Sequence, residues 1–291
     1  MLTSCSNDEA DNTITYSQTS QIKGDRVYIL GVHPLHNPSK LIDVYGPLAD
    51  YLSEQLPGIK IQVEASKNYP AYDKKIEKER FDFSLPNPYQ TIKSLDNFYQ
   101  VINQVGERDL FRGLVLVRKD SNIKKVKHLN GKKIAYPAPT ALAATMMPQL
   151  FLQKHGLDLR KTKTLYVGSQ ESSIMNVYLG HTSASATWTI PWLDLQKNQP
   201  EIADELQVAW TTDSLPNNSF MYHRKKVPLE TALQVQKILS NLHTHSVGQG
   251  LLKKMNVDRF YFAENKTYGP VVDFILDFEQ ILGDNHSLPS E

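Results

Sequence analysis

The stretch GLVLVRKDSNIKKVKHLNGKKIAYPAPTALAA, residues 113–144, contains two strand patterns separated by a charged turn. The apolar run Leu114–Val117 predicts a buried strand. Asn130-Gly131 is typical of a tight turn, because both residues tolerate a positive φ. The run Lys133–Tyr136 predicts a second strand, which ends at a Pro-Ala-Pro break. The stretch therefore predicts a strand–turn–strand unit that delivers a loop.

A helix is predicted to follow this loop from about Thr140 and to end at Gly156, since glycine is the usual residue just beyond a helix C-terminus. The first N–H groups of a helix have no intrahelical acceptor, and the helix dipole is positive at that end. A loop that leads into an exposed helix N-terminus can therefore bind an anion.

Strand and helix patterns alternate along the rest of the chain, which indicates an α/β fold. Tyr99–Val105 and Leu114–Val117 are interpreted as two paired strands. The other strand predictions are Arg26–Val32, Ile59–Val63, Phe81–Leu85, Thr164–Val167, Ala184–Trp188, Leu206–Trp210 and Phe220–His223. Helices are predicted from Tyr45 to Leu56, from Tyr72 to Lys78, from Glu171 to Leu179 and over most of the chain after Leu229.

The order of these elements resembles the phosphate/phosphite/phosphonate-type substrate-binding proteins of ABC importers. Members of that family read approximately strand, R-K-D-S-x-I, D-L-x-G-K, strand, hydroxyl-rich loop, helix, and residues 113–144 follow this order. The resemblance implies a two-lobed α/β periplasmic-binding-protein fold with two crossover strands, near Val117 and Tyr222. Lobe one would comprise residues 26–116 and 223–291, and lobe two residues 117–222. Such proteins close on a ligand by a hinge between the lobes.

The resemblance also implies which residues bind the ligand. His33 lies in Gly31-Val32-His33-Pro34, which matches the family's Gly-x-x-Pro after the first strand. Tyr69 or Tyr72 corresponds to a pocket tyrosine after the second strand. Pro86 and Tyr89 lie in the loop that follows the strand at 81–85, which matches the family pattern D-hydrophobic-x-x-x-P-x-x-Y, and Thr187 and Trp188 lie at the end of the strand at 184–188.

The sequence departs from the family at the predicted helix N-terminus. Phosphonate and phosphite binders usually have Ser-Thr-Ser-Gly there, whereas alignment on Pro148 places Ala141-Leu142-Ala143-Ala144 at these positions. Only Thr140, one residue earlier, keeps a hydroxyl. Gln170 replaces a histidine of the family, and Ser183 an aspartate. We therefore expect a less cationic and more apolar pocket, with Thr140, Ala141, Leu142 and Gln170 as ligand-binding residues and with weak binding of simple phosphonates.

The N-terminus predicts a lipid anchor. Leu2-Thr3-Ser4-Cys5 fits a bacterial lipobox, and Cys5 is the single cysteine of the chain. The rest of residues 1–25 is polar and lacks apolar periodicity, which is typical of a flexible tether. We expect a periplasmic or cell-surface lipoprotein that acts as a monomer, binds a small ligand and delivers it to an ABC permease.

Composition excludes several other classes of protein. The formal net charge of +1 gives no indication of nucleic-acid binding. The chain lacks the common motifs of hydrolases, P-loop proteins and zinc enzymes, so no catalytic residue, cofactor or metal site is predicted. Two alternatives stay open, a periplasmic ligand-sensing module of a signalling system and a metal-dependent hydrolase. A metal-importing binding protein would need the pairs His33/His36 or His243/His245 to converge with carboxylates in one cleft, and their spacing does not indicate this.

Overall fold

The computed structural model describes residues 26–283, which form eleven strands and ten α-helices. The strands are β1 (Arg26–Val32), β2 (Ile59–Glu64), β3 (Phe83–Leu85), β4 (Tyr99–Val105), β5 (Arg112–Arg118), β6 (Lys133–Tyr136), β7 (Lys163–Tyr166), β8 (Ala184–Trp188), β9 (Leu206–Ser214), β10 (Ser219–His223) and β11 (Phe260–Phe262). The helices are α1 (Pro38–Gln55), α2 (Tyr69–Glu77), α3 (Pro88–Leu95), α4 (Met147–Lys154), α5 (Gln170–Tyr178), α6 (Thr189–Asn198), α7 (Pro200–Glu205), α8 (Leu229–Asn241), α9 (Ser246–Met255) and α10 (Gly269–Leu282).

The strands form two mixed sheets, each the centre of one lobe. Lobe one contains the six-stranded sheet in the order β11-β4-β10-β3-β1-β2, and lobe two the five-stranded sheet in the order β7-β6-β8-β5-β9. Helices α1, α2, α3, α8, α9 and α10 pack in lobe one, and α4 to α7 in lobe two. The predicted two-lobed α/β fold is confirmed.

The chain passes between the sheets twice, after β4 and after β9. The expected pairing of β4 with β5 is wrong, because β5 pairs on both edges with strands of lobe two, β8 and β9, while β4 pairs with β10 and β11. Gly106, with φ +78°, and the 3-10 turn Arg108–Leu110 redirect the chain between the two strands. The predicted lobe boundaries at 116/117 and 222/223 fall within β5 and β10. The chain passes from one sheet to the other at residues 106–111 and 215–218.

Asparagine caps fix the start of three helices in lobe one. The side chain of Asn37 accepts from the N–H of Lys40, so α1 begins at Pro38 and not near Tyr45 as predicted. Asn68 caps α2 in the same way, and Asn87 forms a capping box with Gln90 at the start of α3. An Asn-Pro pair supplies both the cap and a preset φ at the first helical position in α1 and α3.

Helix α4 of lobe two is preceded by a π turn, Leu142–Met146, which makes one continuous helical segment with it. The N–H of Met147 donates to the carbonyl of Leu142, five residues back. Gly113 of β5 lies against this turn, since a Cβ on Gly113 would be 2.4 Å from the carbonyl oxygen of Ala143. The turn therefore sits on the sheet of lobe two and faces lobe one.

Candidate functional site

A small buried cavity lies between the lobes, where β1, α2, α3 and the segment before β10 face the π turn, α5 and β8. We call it the interlobe cavity. Its volume is about 10 Å³, enough for about one water molecule. Its lining residues are His33, Tyr69, Asn87, Phe111, Ala141, Leu142, Ala143, Ala144, Gln170, Trp188 and Asn218. None of these is an Asp, Glu, Lys or Arg.

Six of the ten ligand-binding residues predicted from sequence line this cavity: His33, Tyr69, Ala141, Leu142, Gln170 and Trp188. Thr187 is buried behind Gln170 and donates its hydroxyl to Gln170 Oε1 at 2.9 Å. Pro86 is buried beside Asn87 without lining the cavity. Their contribution to the site is therefore indirect.

Tyr89 and Thr140 line a different space, which we call the side cavity. It has a volume of about 770 Å³ and extends between α10 of lobe one and α4 of lobe two. Tyr89 faces it because the Asn87 cap starts α3 at Pro88 and places Tyr89 in the first turn. Burial raises the pKa of its phenol. The sequence interpretation of Tyr89 as part of a loop missed helix α3, although Asn87-Pro88 with Gln90 is a capping-box pattern.

His33 is held as a neutral ring on the lobe-one wall. It is 2% exposed, and its Nδ1–H donates to the carbonyl of Leu85 at 3.0 Å. Burial lowers the pKa of His33 to about 4, and nearby His36 acts in the same direction. Because a carbonyl can only accept, the lone pair of the neutral ring is on Nε2.

Tyr69 and Gln170 connect the lobes across the cavity. Gln170 Nε2 donates to the hydroxyl oxygen of Tyr69 at 3.4 Å, and burial raises the pKa of that phenol. Since Gln170 Oε1 is already occupied by Thr187, the Tyr69 O–H remains able to donate to a ligand.

The π turn presents backbone donors to the same cavity. Leu142, Ala143 and Ala144 occupy its first three positions, and no side chain caps this end of the segment. Their N–H groups therefore lack an intrahelical acceptor. The three residues line the cavity and are at most 3% exposed, so these donors are buried beside the cavity and have little contact with bulk water. The anion-binding helix start predicted from the sequence is thus placed at the interlobe cavity, two residues after Thr140.

Direct contacts between side chains hold the lobes together around the cavity. Thr140 donates its hydroxyl to Asp73 Oδ2 at 3.1 Å and accepts at its carbonyl from Asn87 Nδ2 at 2.9 Å. On the other side, Lys40 of α1 forms an ion pair with Asp194 of α6. These contacts correspond to a closed arrangement of the lobes.

Ala143 and Ala144 line the cavity at positions that the sequence aligns with the Ser-Thr-Ser-Gly motif of the family, although they were not named as ligand-binding residues. Sequence reasoning missed three other lining residues, Asn87, Phe111 and Asn218. The first has a detectable signal, its position before a proline at a helix start. Phe111 and Asn218 lie on the two segments between the sheets, and sequence patterns do not show which faces of such segments meet.

The remaining predictions concern metals and the membrane. No group of three or more His, Cys, Asp and Glu side chains within residues 26–283 is arranged to hold a metal ion. None of the helices in that range is long and apolar enough to cross a membrane. The predicted lipidation site Cys5 and the tether lie outside the described residues.

Residues 30–268 match the model of the family described as "ABC transporter, phosphonate, periplasmic substrate-binding protein". The chain belongs to this family. One curated relative, a probable ABC transporter phosphite binding protein (PhnD1) from Prochlorococcus marinus, is 23% identical over 180 residues, which are 56% of this chain and 61% of the relative. The match thus spans less than two thirds of that relative.

Two solved structures of the family show the same fold. A binding protein component of an ABC phosphonate transporter from Pseudomonas aeruginosa superposes with a TM-score of 0.81 at 15% identity, covering 91% of each chain. PhnD1 of Prochlorococcus marinus, solved in complex with methylphosphonate, superposes with a TM-score of 0.79 at 20% identity, covering 89% of this chain and 98% of the other. The family is one of periplasmic transport proteins, as the sequence resemblance implied.

Proposed function

We propose that this protein is the substrate-binding component of an ABC importer and that it binds one small oxyanion between the walls of the interlobe cavity. The lobes would stand slightly further apart around this ligand than they do here, since the cavity now has room for about one water molecule. The observation that carries the proposal is the position of the uncapped π turn, whose first three residues line a buried cavity made by both lobes. Backbone donors at a helix start bind anions whatever the side chains are. Family membership supports the role in transport.

The cavity walls suit a ligand with a small apolar substituent. Trp188 and Phe111 contact each other with ring centroids 5.4 Å apart, and Leu142 lies on the same cavity. A methyl group or hydrogen on the oxyanion would lie against these side chains without leaving a polar group unpaired. Phosphonates, phosphite and small sulfonates have this form.

Ligand capture is proposed to occur by hinge closure, with the closed form presented to a membrane permease. Two segments join the lobes, and such pairs of connections permit rotation of one lobe against the other. Cys5 is proposed as the lipid attachment site that keeps the protein at the membrane surface.

A calorimetric titration with methylphosphonate, phosphite, phosphate and methanesulfonate tests the proposal. We expect at least one of these oxyanions to bind with 1:1 stoichiometry and to raise the melting temperature. Ala144→Val, which adds two methyl groups at a residue that lines the cavity, should weaken the binding while the variant still unfolds cooperatively. Small-angle scattering should show a smaller radius of gyration with the bound oxyanion. The proposal is wrong if none of the four anions binds.

A further inference from the structure

The two walls of the interlobe cavity differ in hydrogen-bonding character. On the lobe-two side, the N–H groups of Leu142, Ala143 and Ala144 can only donate. The hydroxyl of Tyr69 adds a fourth donor from lobe one, because its oxygen already accepts from Gln170. These four donors suit the unprotonated oxygens of an oxyanion.

Lobe one contributes two acceptors to the cavity. The first is Nε2 of His33, which carries the lone pair because Nδ1–H donates to Leu85. The second is Oδ1 of Asn218, which is buried and has no hydrogen-bond partner within residues 26–283. Asn218 is 4% exposed. A buried acceptor without a donor costs free energy until a ligand supplies one.

The charge around the cavity opposes a doubly charged ligand. None of the lining residues is a cation. Burial raises the pKa of the Tyr69 phenol, and the carboxylate of Asp73 lies close enough to add to that rise. The other titratable groups nearby are His33 and His36, and Lys40 beside His36 is already paired with Asp194. A second negative charge on the ligand would therefore be buried without a counterion.

Building on the proposed function, we propose that the cavity selects a singly charged oxyanion that keeps one O–H group, such as the monoanion of methylphosphonate or of phosphite. The unprotonated oxygens accept from the π turn and Tyr69, and the O–H donates to His33 Nε2 or Asn218 Oδ1. Loss of the last proton removes the donor and adds the unpaired charge at once. The dianion is therefore excluded for two independent reasons.

Two ligands of similar shape separate the effect of ligand protonation from the effect of titratable groups of the protein. Methylphosphonate changes from monoanion to dianion near neutral pH, whereas methanesulfonate has nearly the same shape, one negative charge at every pH used, and no O–H. Over this range His33 and His36, whose pKa values burial lowers to about 4, remain neutral. Any titration of Asp73 or Tyr69 would affect both ligands. The difference between the two ligands thus reports the protonation state of methylphosphonate.

Calorimetry should show that methylphosphonate binds more tightly than methanesulfonate below its second pKa. Above that pKa its affinity should fall about tenfold per pH unit, as the monoanion becomes scarce. Above about pH 7, where Asp73 is already ionised, the affinity for methanesulfonate should stay constant. Affinity for methylphosphonate that is constant or rises with pH would overturn the inference and leave the proposed function standing. Binding of neither ligand at any pH, with phosphite and phosphate also failing, overturns both.

Asn218→Ala tests whether Asn218 Oδ1 accepts a hydrogen bond from the ligand. We expect it to weaken methylphosphonate about tenfold at the acid end of the range, since a hydrogen bond to a charged ligand is lost, and to leave methanesulfonate unchanged. Gln234→Ala, on the exposed face of α8, is the remote control. Equal losses for both ligands would overturn the assignment of Asn218 as an acceptor. If the variant fails to fold, the comparison of the two ligands on the unmodified protein decides the inference.

Discussion

The hydroxyl of Thr140 donates a 3.1 Å hydrogen bond to Asp73 Oδ2, and this bond joins lobe two to lobe one beside the cavity. Gln90 Nε2 donates to the other carboxyl oxygen of Asp73 at 2.5 Å. Burial raises the pKa of Asp73 from 3.8 to about 6, although these two hydrogen bonds oppose the shift. The protonation of a single carboxyl is thus coupled to the closed arrangement.

Asp73→Asn should change how stability depends on pH. The folded protein binds the Asp73 proton more tightly than the unfolded chain does, so the stabilising contribution is complete below the unfolded pKa of 3.8 and is lost as pH rises through about 6. Relative to the variant, the unfolding free energy of the native protein should fall by at most about 3 kcal/mol between about pH 4 and pH 7. Denaturant unfolding at several pH values measures this.

In both proteins, His33 and His36 make the unfolding free energy rise with pH, opposite to the effect of Asp73, because burial lowers their pKa values to about 4. The difference between native protein and variant therefore isolates Asp73. Asp213→Asn, at an exposed position of β9, is the matched control. Parallel stability curves for the native protein and Asp73→Asn would contradict the coupling.

Lys40→Ala should favour the open form. The ion pair with Asp194 links α1 to α6 across the cleft, and its side chains are 30% and 19% exposed. A partly exposed pair contributes only about 0.2–1 kcal/mol, so the affinity for the bound oxyanion should fall by about fivefold at most. The radius of gyration of the ligand-free protein should increase. Lys197→Ala, at an exposed position of α6, should change neither quantity, and equal behaviour of the two variants would refute the role of the pair.

Restoring hydroxyls at the π turn should admit the dianion. The triple change Ala141→Ser, Leu142→Thr and Ala143→Ser adds three donors to the cavity wall, each worth about 1.5 kcal/mol or more to a charged group. Affinity for methylphosphonate above its second pKa should then rise at least about tenfold. Leu142→Val, which has the shape of threonine without its hydroxyl, is the control. No gain in the triple variant, with melting intact, would argue against the assigned position of these side chains.

Gly113→Ala should destabilise the protein and disturb the site. The new Cβ would lie 2.4 Å from the carbonyl oxygen of Ala143 and 2.8 Å from the ring of Pro148. Overpacking of this kind typically costs about 1–3 kcal/mol, and here it pushes the π turn away from β5. Gly250→Ala, where no atom lies within 4 Å of the added Cβ, should stabilise the protein by up to about 1 kcal/mol. Similar unfolding midpoints for the two variants would contradict the packing.

Cys5→Ala should release the protein from membranes. When expressed behind a lipoprotein signal peptide in a bacterial host, the chain should incorporate a fatty-acid label at this single cysteine. The variant should lose the label and keep its oxyanion affinity, since residues 26–283 contain the whole cavity. Retention of the variant on membranes would rule out the proposed anchor.

The sequence is most informative about this protein where local patterns determine the structure. Local strand patterns locate β1, β2 and β8, and the loop before α4 correctly indicates a helix start. Sheet membership is not local: β4 and β5 are neighbours in sequence but belong to different lobes. Pairing of this kind depends on which distant strands compete for each edge.

The site was predictable to the extent that it follows strand ends and helix starts. His33 and Trp188 lie at strand ends, and Gln170 starts a capped helix. Asn218 depends on how a crossover segment packs, so its sequence neighbourhood gives no signal. Tyr89 was misplaced for a local reason, since its loop is in fact the first turn of α3.

The π turn Leu142–Met146 lies at a point of the interlobe cavity where the chain can lose one residue without disturbing the helix that follows. Deleting one residue from a π turn converts it to an α turn, and the helix beyond it keeps its register. A deletion inside α4 would instead rotate every later side chain by about 100°. During the divergence of this family, binding specificity at the helix start could therefore evolve by single-residue insertions and deletions that leave the sheet of lobe two undisturbed.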